Sequence, residues 1–163
     1  MGAEQRFLSR FMEVVHTNYR DAFVYKIPDA PFTGNKPFDV ILDHGRVFYI
    51  EGKVLEANRK SFSVGSLFRP HQIRILHQLQ ILHSSDYTCA WGMVGKPRDQ
   101  VFLIPAADLA QASAALKPLN LHDYTRRSLR EAAQFFCEDQ GKPINGNTTK
   151  CHPTIRRERL SNE

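Results

Sequence analysis

The sequence predicts an α/β fold, a central mixed β-sheet with helices packed on its faces, and three observations carry that prediction. A segment of helical period opens the chain. Two β-rich runs then flank Asp43-His44-Gly45 as a hairpin, and two more strand-like runs follow a second helical segment. The order helix, strand, hairpin, helix, strand, strand and then helical segments suits a mixed sheet covered by helices.

Phe7, Leu8, Phe11, Met12 and Val15 recur at helical spacing, while Arg6, Arg10 and Glu13 take other faces, so residues 3 to 18 read as the first helix. A strand follows from Ala22 to Ile27 and stops at Pro28. Asp29 to Lys36 holds Pro31 and Gly34 and reads as a loop. The hairpin occupies about 38 to 54, its second strand running on through Val54 and Leu55. Residues 56 to 68 mix Asn, Arg, Lys, Ser and Phe and read as a loop with one short extended piece. Pro70 opens the second helix, because a proline at the first helical position loses no needed hydrogen bond. That helix runs through Gln72, Ile75, Leu76, Leu79 and Leu82.

Strands at Tyr87 to Val94 and Gln100 to Ile104 are joined by Gly95-Lys96-Pro97-Arg98-Asp99. Pro105 to Leu116 is Ala-rich and predicts a short helix, and Ser128 to Gln140 predicts a last one, stopped at Gly141. Residues 1 to 141 thus form one domain. Residues 142 to 163, with Pro143, Gly146, Pro153 and the basic Arg156, Arg157 and Arg159, read as a flexible tail. No internal repeat is visible.

A chain of 163 residues with 42% hydrophobic and 24% charged content has the size and composition of one soluble domain. Its net charge of +5 favours an anionic partner without assigning one. Cys89, Cys137 and Cys151 are odd in number and widely spaced, which argues against a disulfide framework and fits a reducing cytoplasm. Met1 leads into a charged amphipathic segment rather than a signal peptide. No apolar run approaches the roughly 18 residues a membrane span needs. The expectation from these features is a cytoplasmic protein.

The chemistry centres on Asp39, Glu51 and Lys53. Alternation along a strand puts Glu51 and Lys53 on one face, and a fold-back near His44 and Gly45 sets Asp39 opposite Ile50 or Glu51. Two carboxylates suit Mg²⁺, a hard cation usually held by one or two of them with water and substrate phosphate. Such a metal polarises a phosphodiester and lowers the pKa of a bound water. Lys53 would orient that water or stabilise charge. Its carboxylate neighbours keep it protonated, which favours the electrostatic role. The same residues equally describe an ordinary charged hairpin: Asp39 starting a strand, Glu51 and Lys53 a solvated pair.

Two further residues bear on that choice. Glu4 falls on the helix face of Phe7, Leu8 and Phe11, where a carboxylate needs a partner or a metal. It equally suits the helix dipole as a first-turn acid. Gln72 lies on the face of Ile75, Leu76 and Leu79, where its amide would orient a metal-bound water, hold Lys53, or bond backbone as a core-edge glutamine.

Taken together, Gly2-Ala3-Glu4, Val24-Tyr25-Lys26-Ile27-Pro28, Pro37-Phe38-Asp39, Glu51-Gly52-Lys53, Ser61-Phe62-Ser63, His71-Gln72 and the strand Val101 to Pro105 resemble a RecU-type Holliday junction resolvase. More broadly they resemble the PD-(D/E)xK nuclease superfamily, which includes archaeal junction resolvases. The resemblance covers about residues 2 to 110. It implies a restriction-endonuclease-like core, Mg²⁺-dependent phosphodiester hydrolysis with Mn²⁺ as substitute, and a homodimer acting on branched DNA. By position it assigns Glu4, Asp39, Glu51 and Lys53 to the catalytic set, with Gln72 as the recurrent helix glutamine and Glu4 as a metal ligand beside Asp39 and Glu51. The sequence departs from RecU proteins between Pro28 and Asp39, where it has only a short loop in place of the long stalk that engages the junction centre. The compact form is closer to archaeal resolvases or phage nucleases.

Lys26, Lys36, Arg46, Arg59, Lys60 and Arg69 flank the proposed site and are candidate phosphate contacts. Zinc is set aside: Cys151-His152 is adjacent, Cys137 is distant, and His77 and His83 face different ways on a helix. Ser61, Ser63 and Ser66 lack the glycines of a nucleophile elbow, and no Walker pattern implies a nucleotide cofactor. Two alternatives remain open: a nuclease for flaps or DNA ends, and a non-catalytic DNA-binding protein on the same core.

Overall fold

Amphipathic periodicity becomes layering in the computed structural model, which describes residues 2–29, 36–83 and 86–139. Helix α1 (Ala3–Asn18) buries Phe7, Leu8, Phe11 and Val15. Strand β1 (Phe23–Lys26) pairs antiparallel with β2 (Val40–Asp43), which pairs with β3 (Val47–Val54) as the expected hairpin. Gly45 turns that hairpin at φ +82°, a left-handed conformation that suits glycine. Next come β4 (Ser61–Ser63), a one-turn helix α2 (Val64–Leu67) and α3 (Pro70–His83). Strand β5 (Ala90–Lys96) returns parallel to β3 and continues into β6 (Gln100–Pro105). Helix α4 (Ala106–Ala114), β7 (Pro118–Asn120), a 3₁₀ turn (Leu121–Asp123), β8 (Arg126–Arg127) and α5 (Leu129–Cys137) complete the order.

The main sheet runs β1-β2-β3-β5-β6-β8 and is mixed, its one parallel pair being β3 with β5; β4 and β7 form a separate antiparallel ribbon. Strand alternation divides the core. Val40, Leu42, Phe48, Ile50, Trp91, Met93, Val101 and Leu103 face α1 and α5. On the opposite face Ala90, Val94, Phe102 and Ile104 pack with α2, α3 and α4 through Val64, Phe68, Ile73, Leu76 and Leu109. The predicted sheet between helices is therefore the observed one.

Local differences have local causes. The strand expected from Tyr87 begins at Ala90, because the Tyr87 carbonyl accepts from the Gln80 amide instead of entering the ladder. The segment 56–68, read as a loop, holds β4 and α2. Both are only a few residues long, and tertiary pairing fixes β4 against β7. Neither β7 nor β8 was expected; β8 exists through its pairing with Val101 and Phe102. Helix α5 starts with a capping box, Ser128 accepting from the Glu131 N–H and Glu131 accepting from that of Ser128. The expected stop at Gly141 and the basic tail 142–163 lie outside the described residues, as do Pro31 and Gly34. Cys89 and Cys137 are buried free thiols, and no described helix is long and apolar enough to cross a membrane.

Gly95 shows how tightly α1 seats on the sheet. A Cβ there would lie 2.5 Å from the Phe7 ring, inside a face already filled. Gly95→Ala is expected to cost about 1–3 kcal/mol through that overpacking, read as a lower urea midpoint at unchanged slope.

Candidate active site

Register places the first carboxylate. Val40 pairs with Ile50, so Asp39 lies one step further, opposite Glu51, and its N–H donates to the Ile50 carbonyl at 2.9 Å. Asp39 is buried to 9% exposure, and its Oδ2 accepts from the Gly52 N–H at 2.9 Å. That bond fixes the carboxylate and leaves Oδ1 as the oxygen open to a cation. Oδ1 holds the Lys36 ammonium at 2.8 Å.

Glu51 is more deeply enclosed, at 1% exposure. Its Oε1 accepts from the Lys53 ammonium at 2.8 Å and from the Gln72 amide. Its Oε2 is buried with no hydrogen-bond partner among the described residues. An unpaired buried carboxylate oxygen is costly, because it has lost its water without gaining a donor. The electrostatics agree: burial first, and the Asp39 charge second, push the Glu51 pKa up to about 7, with Lys53 pulling the other way.

Gln72 reaches this site from α3, with its orientation set at both ends. Its Nε2 donates to Glu51, and its Oε1 accepts from the Arg69 N–H at 3.0 Å. Of the roles open in the sequence, the backbone bond is present, accepted from the Arg69 N–H, while the amide donates to Glu51, a partner the sequence did not name, rather than holding Lys53. Lys53 is half-buried, and that desolvation alone would lower its pKa. Glu51, then Glu4 and Asp39, more than offset that, so its pKa stands above the ordinary value and it is an ammonium at neutral pH.

Glu4 requires a correction of position. It is exposed, its side chain 50% accessible, rather than buried on the apolar face of α1. At the first turn of the helix it projects past the buried stripe and meets the Lys53 ammonium at 3.5 Å. Lys53 therefore bridges Glu4 to Glu51. Among the described residues, no three His, Cys, Asp or Glu side chains gather as a metal site. What the fold presents is the pair Asp39 and Glu51, with one oxygen on each uncommitted to a backbone or amide donor. That pair fits Mg²⁺, which needs one or two carboxylates.

Gly52, between Glu51 and Lys53, was not singled out in the sequence. A Cβ there would fall 2.5 Å from Leu8 Cδ2, so glycine lets α1 approach β3 closely enough for Glu4 to reach Lys53. The signal for it was the middle position of Glu51-Gly52-Lys53.

An open cleft of about 640 Å³ lies before Asp39. Glu4, Lys26, Asp29, Lys36 and Glu56 contribute to its lining, so carboxylates and lysines line it together. Of the candidate phosphate contacts, Lys26 and Lys36 line this cleft. Lys36 is nearly buried, at 13% side-chain exposure, and is an ion-pair partner of the site rather than a surface charge. Arg69 is exposed at the start of α3, beside Gln72, and Arg59 and Lys60 are exposed after β3. Arg46 is elsewhere, at the hairpin turn about 16 Å up the strand from Glu51 at ~3.3 Å per residue, with its guanidinium over the Tyr87 ring.

These features define a buried carboxylate pair braced by a lysine and a glutamine at the end of a mixed sheet. No protein-family model matches the chain, and no curated protein matches it. Among solved structures, the chain is similar to a Holliday junction resolvase from the archaeal hyperthermophile Archaeoglobus fulgidus, at 14% identity and a TM-score of 0.47, over 77% of this chain and 98% of that one.

Proposed function

We propose that the protein is a Mg²⁺-dependent endodeoxyribonuclease with a restriction-endonuclease-like core, a Holliday junction resolvase that cuts branched DNA as a homodimer. The observation that carries this reading is the buried, unpartnered Oε2 of Glu51 next to the negative charge of Asp39. Two carboxylates held this close, one of them desolvated, make a poor structural pair and a good receptor for a divalent cation. Asp39 Oδ1 and Glu51 Oε2 are the oxygens that would hold Mg²⁺, or Mn²⁺ in its place. Bound there, the metal would supply Lewis-acid activation of the phosphodiester and of a water.

The chain's own residues do the rest. Gly52 N–H and Gln72 fix the two carboxylates so that little reorganisation accompanies the reaction. Lys53 remains an ammonium and stabilises charge that develops on the phosphate. Glu4 keeps Lys53 in place from the open side and is a positioning residue rather than a third metal ligand. Lys26, Arg59, Lys60 and Arg69 would neutralise backbone phosphates, which gives affinity without sequence preference.

The test compares a synthetic four-way junction, a flap and a linear duplex at fixed salt, with Mg²⁺, with Mn²⁺ and with chelator. Symmetric nicking of the junction that requires the metal is the expected result. Preferential cleavage of flaps or ends would keep the nuclease and replace its substrate, a result that the short segment between Pro28 and Asp39 would accommodate. Absence of cleavage on every substrate with either metal would refute the assignment.

A further inference from the structure

Lys36 is placed where a surface phosphate contact would not be. Its ammonium sits 2.8 Å from Asp39 Oδ1 and 3.2 Å from Asp29 Oδ1; the side chains of the lysine and Asp39 are each 13% exposed and that of Asp29 69%. Since Asp39 Oδ2 is bound to the Gly52 N–H, Lys36 covers the single oxygen of Asp39 left for a metal. We propose that Lys36 is a displaceable internal counter-ion. It occupies the metal position of Asp39 until a divalent cation enters, then moves to Asp29 and meets a substrate phosphate at the cleft mouth.

This rests on the metal-dependent reading above and adds a competition that the reading does not require. A Mg²⁺ ion binds carboxylate oxygen at roughly 2.0–2.1 Å. An ammonium at hydrogen-bond distance on the same oxygen competes with that ion, because two cations so close repel strongly in a desolvated site. Lysine suits the exchange: it is a compact charge on a flexible four-carbon stem, with three donors that reorient freely. Asp29 supplies the second station, being already within reach and on the cleft lining. The exchange also accounts for how Asp39 is tolerated in the metal-free protein, where an uncompensated buried carboxylate would be costly.

Calorimetric titration of Mn²⁺ and Mg²⁺ without DNA tests the competition on wild type, Lys36→Met, Lys36→Arg and Lys26→Met, each first checked for a native melting transition. Lys36→Gln stands in if Lys36→Met does not fold. Lys36→Met is expected to bind metal about tenfold tighter than wild type, the loss of one competing contact. Lys36→Arg should stay near wild type. Lys26→Met should change little, since Lys26 lines the same cleft but acts on Asp29 only at longer range. With Ca²⁺ and a four-way junction, Lys36→Met should bind DNA more weakly and lose about one unit of salt slope.

Unchanged or weaker metal binding by a folded Lys36→Met overturns the displacement and leaves the nuclease reading standing. An equal gain in Lys26→Met also overturns it, because the effect would then be the general field of the cleft. If neither wild type nor any variant binds metal, both the displacement and the metal-dependent reading fall.

Discussion

Asp39→Asn is expected to abolish metal-dependent DNA cleavage, lowering the single-turnover rate by about a thousandfold or more, while the protein still folds. The asymmetry comes from the two oxygens of the side chain. Asparagine keeps a carbonyl oxygen to accept from the Gly52 N–H, so the link between the strand start and β3 survives. What it loses is the charge on the other oxygen, the one open to a cation. Several kcal/mol of charge stabilisation by a metal, at 1.36 kcal/mol per tenfold, corresponds to a rate loss of that order. Stability should change little, because the substitution ends the Lys36 pair and the repulsion on Glu51 together. Gel-based cleavage of a four-way junction, alongside thermal melting, reads both quantities. Cleavage within tenfold of wild type would remove Asp39 from the site.

The parts of this site that were legible in the sequence are those governed by short periods. A two-residue alternation and one turn were enough to set Asp39 opposite Glu51 and to put Glu51 and Lys53 on one face. Gln72 was legible as a polar residue on an apolar helix face, but not its target. That depends on how α3 lies over β3, which no local pattern encodes. Glu4 shows the limit of a helical projection. It shares a face with Phe7 and Leu8, yet it lies in the first turn, before the buried stretch of the helix begins at Phe7, and is exposed. Lys36 was visible only as one basic residue among several. Its preference for extended backbone before Pro37 was readable, whereas its pairing across that proline with Asp39 was not. Likewise β7 and β8 are too short to alternate and exist only through their partners.

The second large effect is a dependence of stability on pH that runs opposite to the usual carboxylate case. Glu51 titrates at about 7 in the folded protein, against an ordinary value of 4.5. Between those values the folded state binds a proton that the unfolded chain has released, so stability falls as pH rises. The group's contribution is fully present below the unfolded pKa and is lost through the folded one. At 1.36 kcal/mol per unit the loss across that window is about 3 kcal/mol. In Glu51→Gln this slope should vanish: the amide imitates the protonated acid, still accepts from Gln72, and leaves Lys53 paired with Glu4. Urea denaturation at pH 5.5 and pH 8 in chelator should therefore show wild type less stable at the higher pH and the variant nearly level. Mg²⁺ should restore wild type at pH 8 and leave Glu51→Gln unmoved, because a bound metal stabilises the native state by mass action only where its ligand is intact. Equal slopes in the two proteins would mean that Glu51 ionises without cost. The unpartnered oxygen would then have ceased to be an argument for a cation, since it is the energetic penalty at that atom that makes the site a receptor.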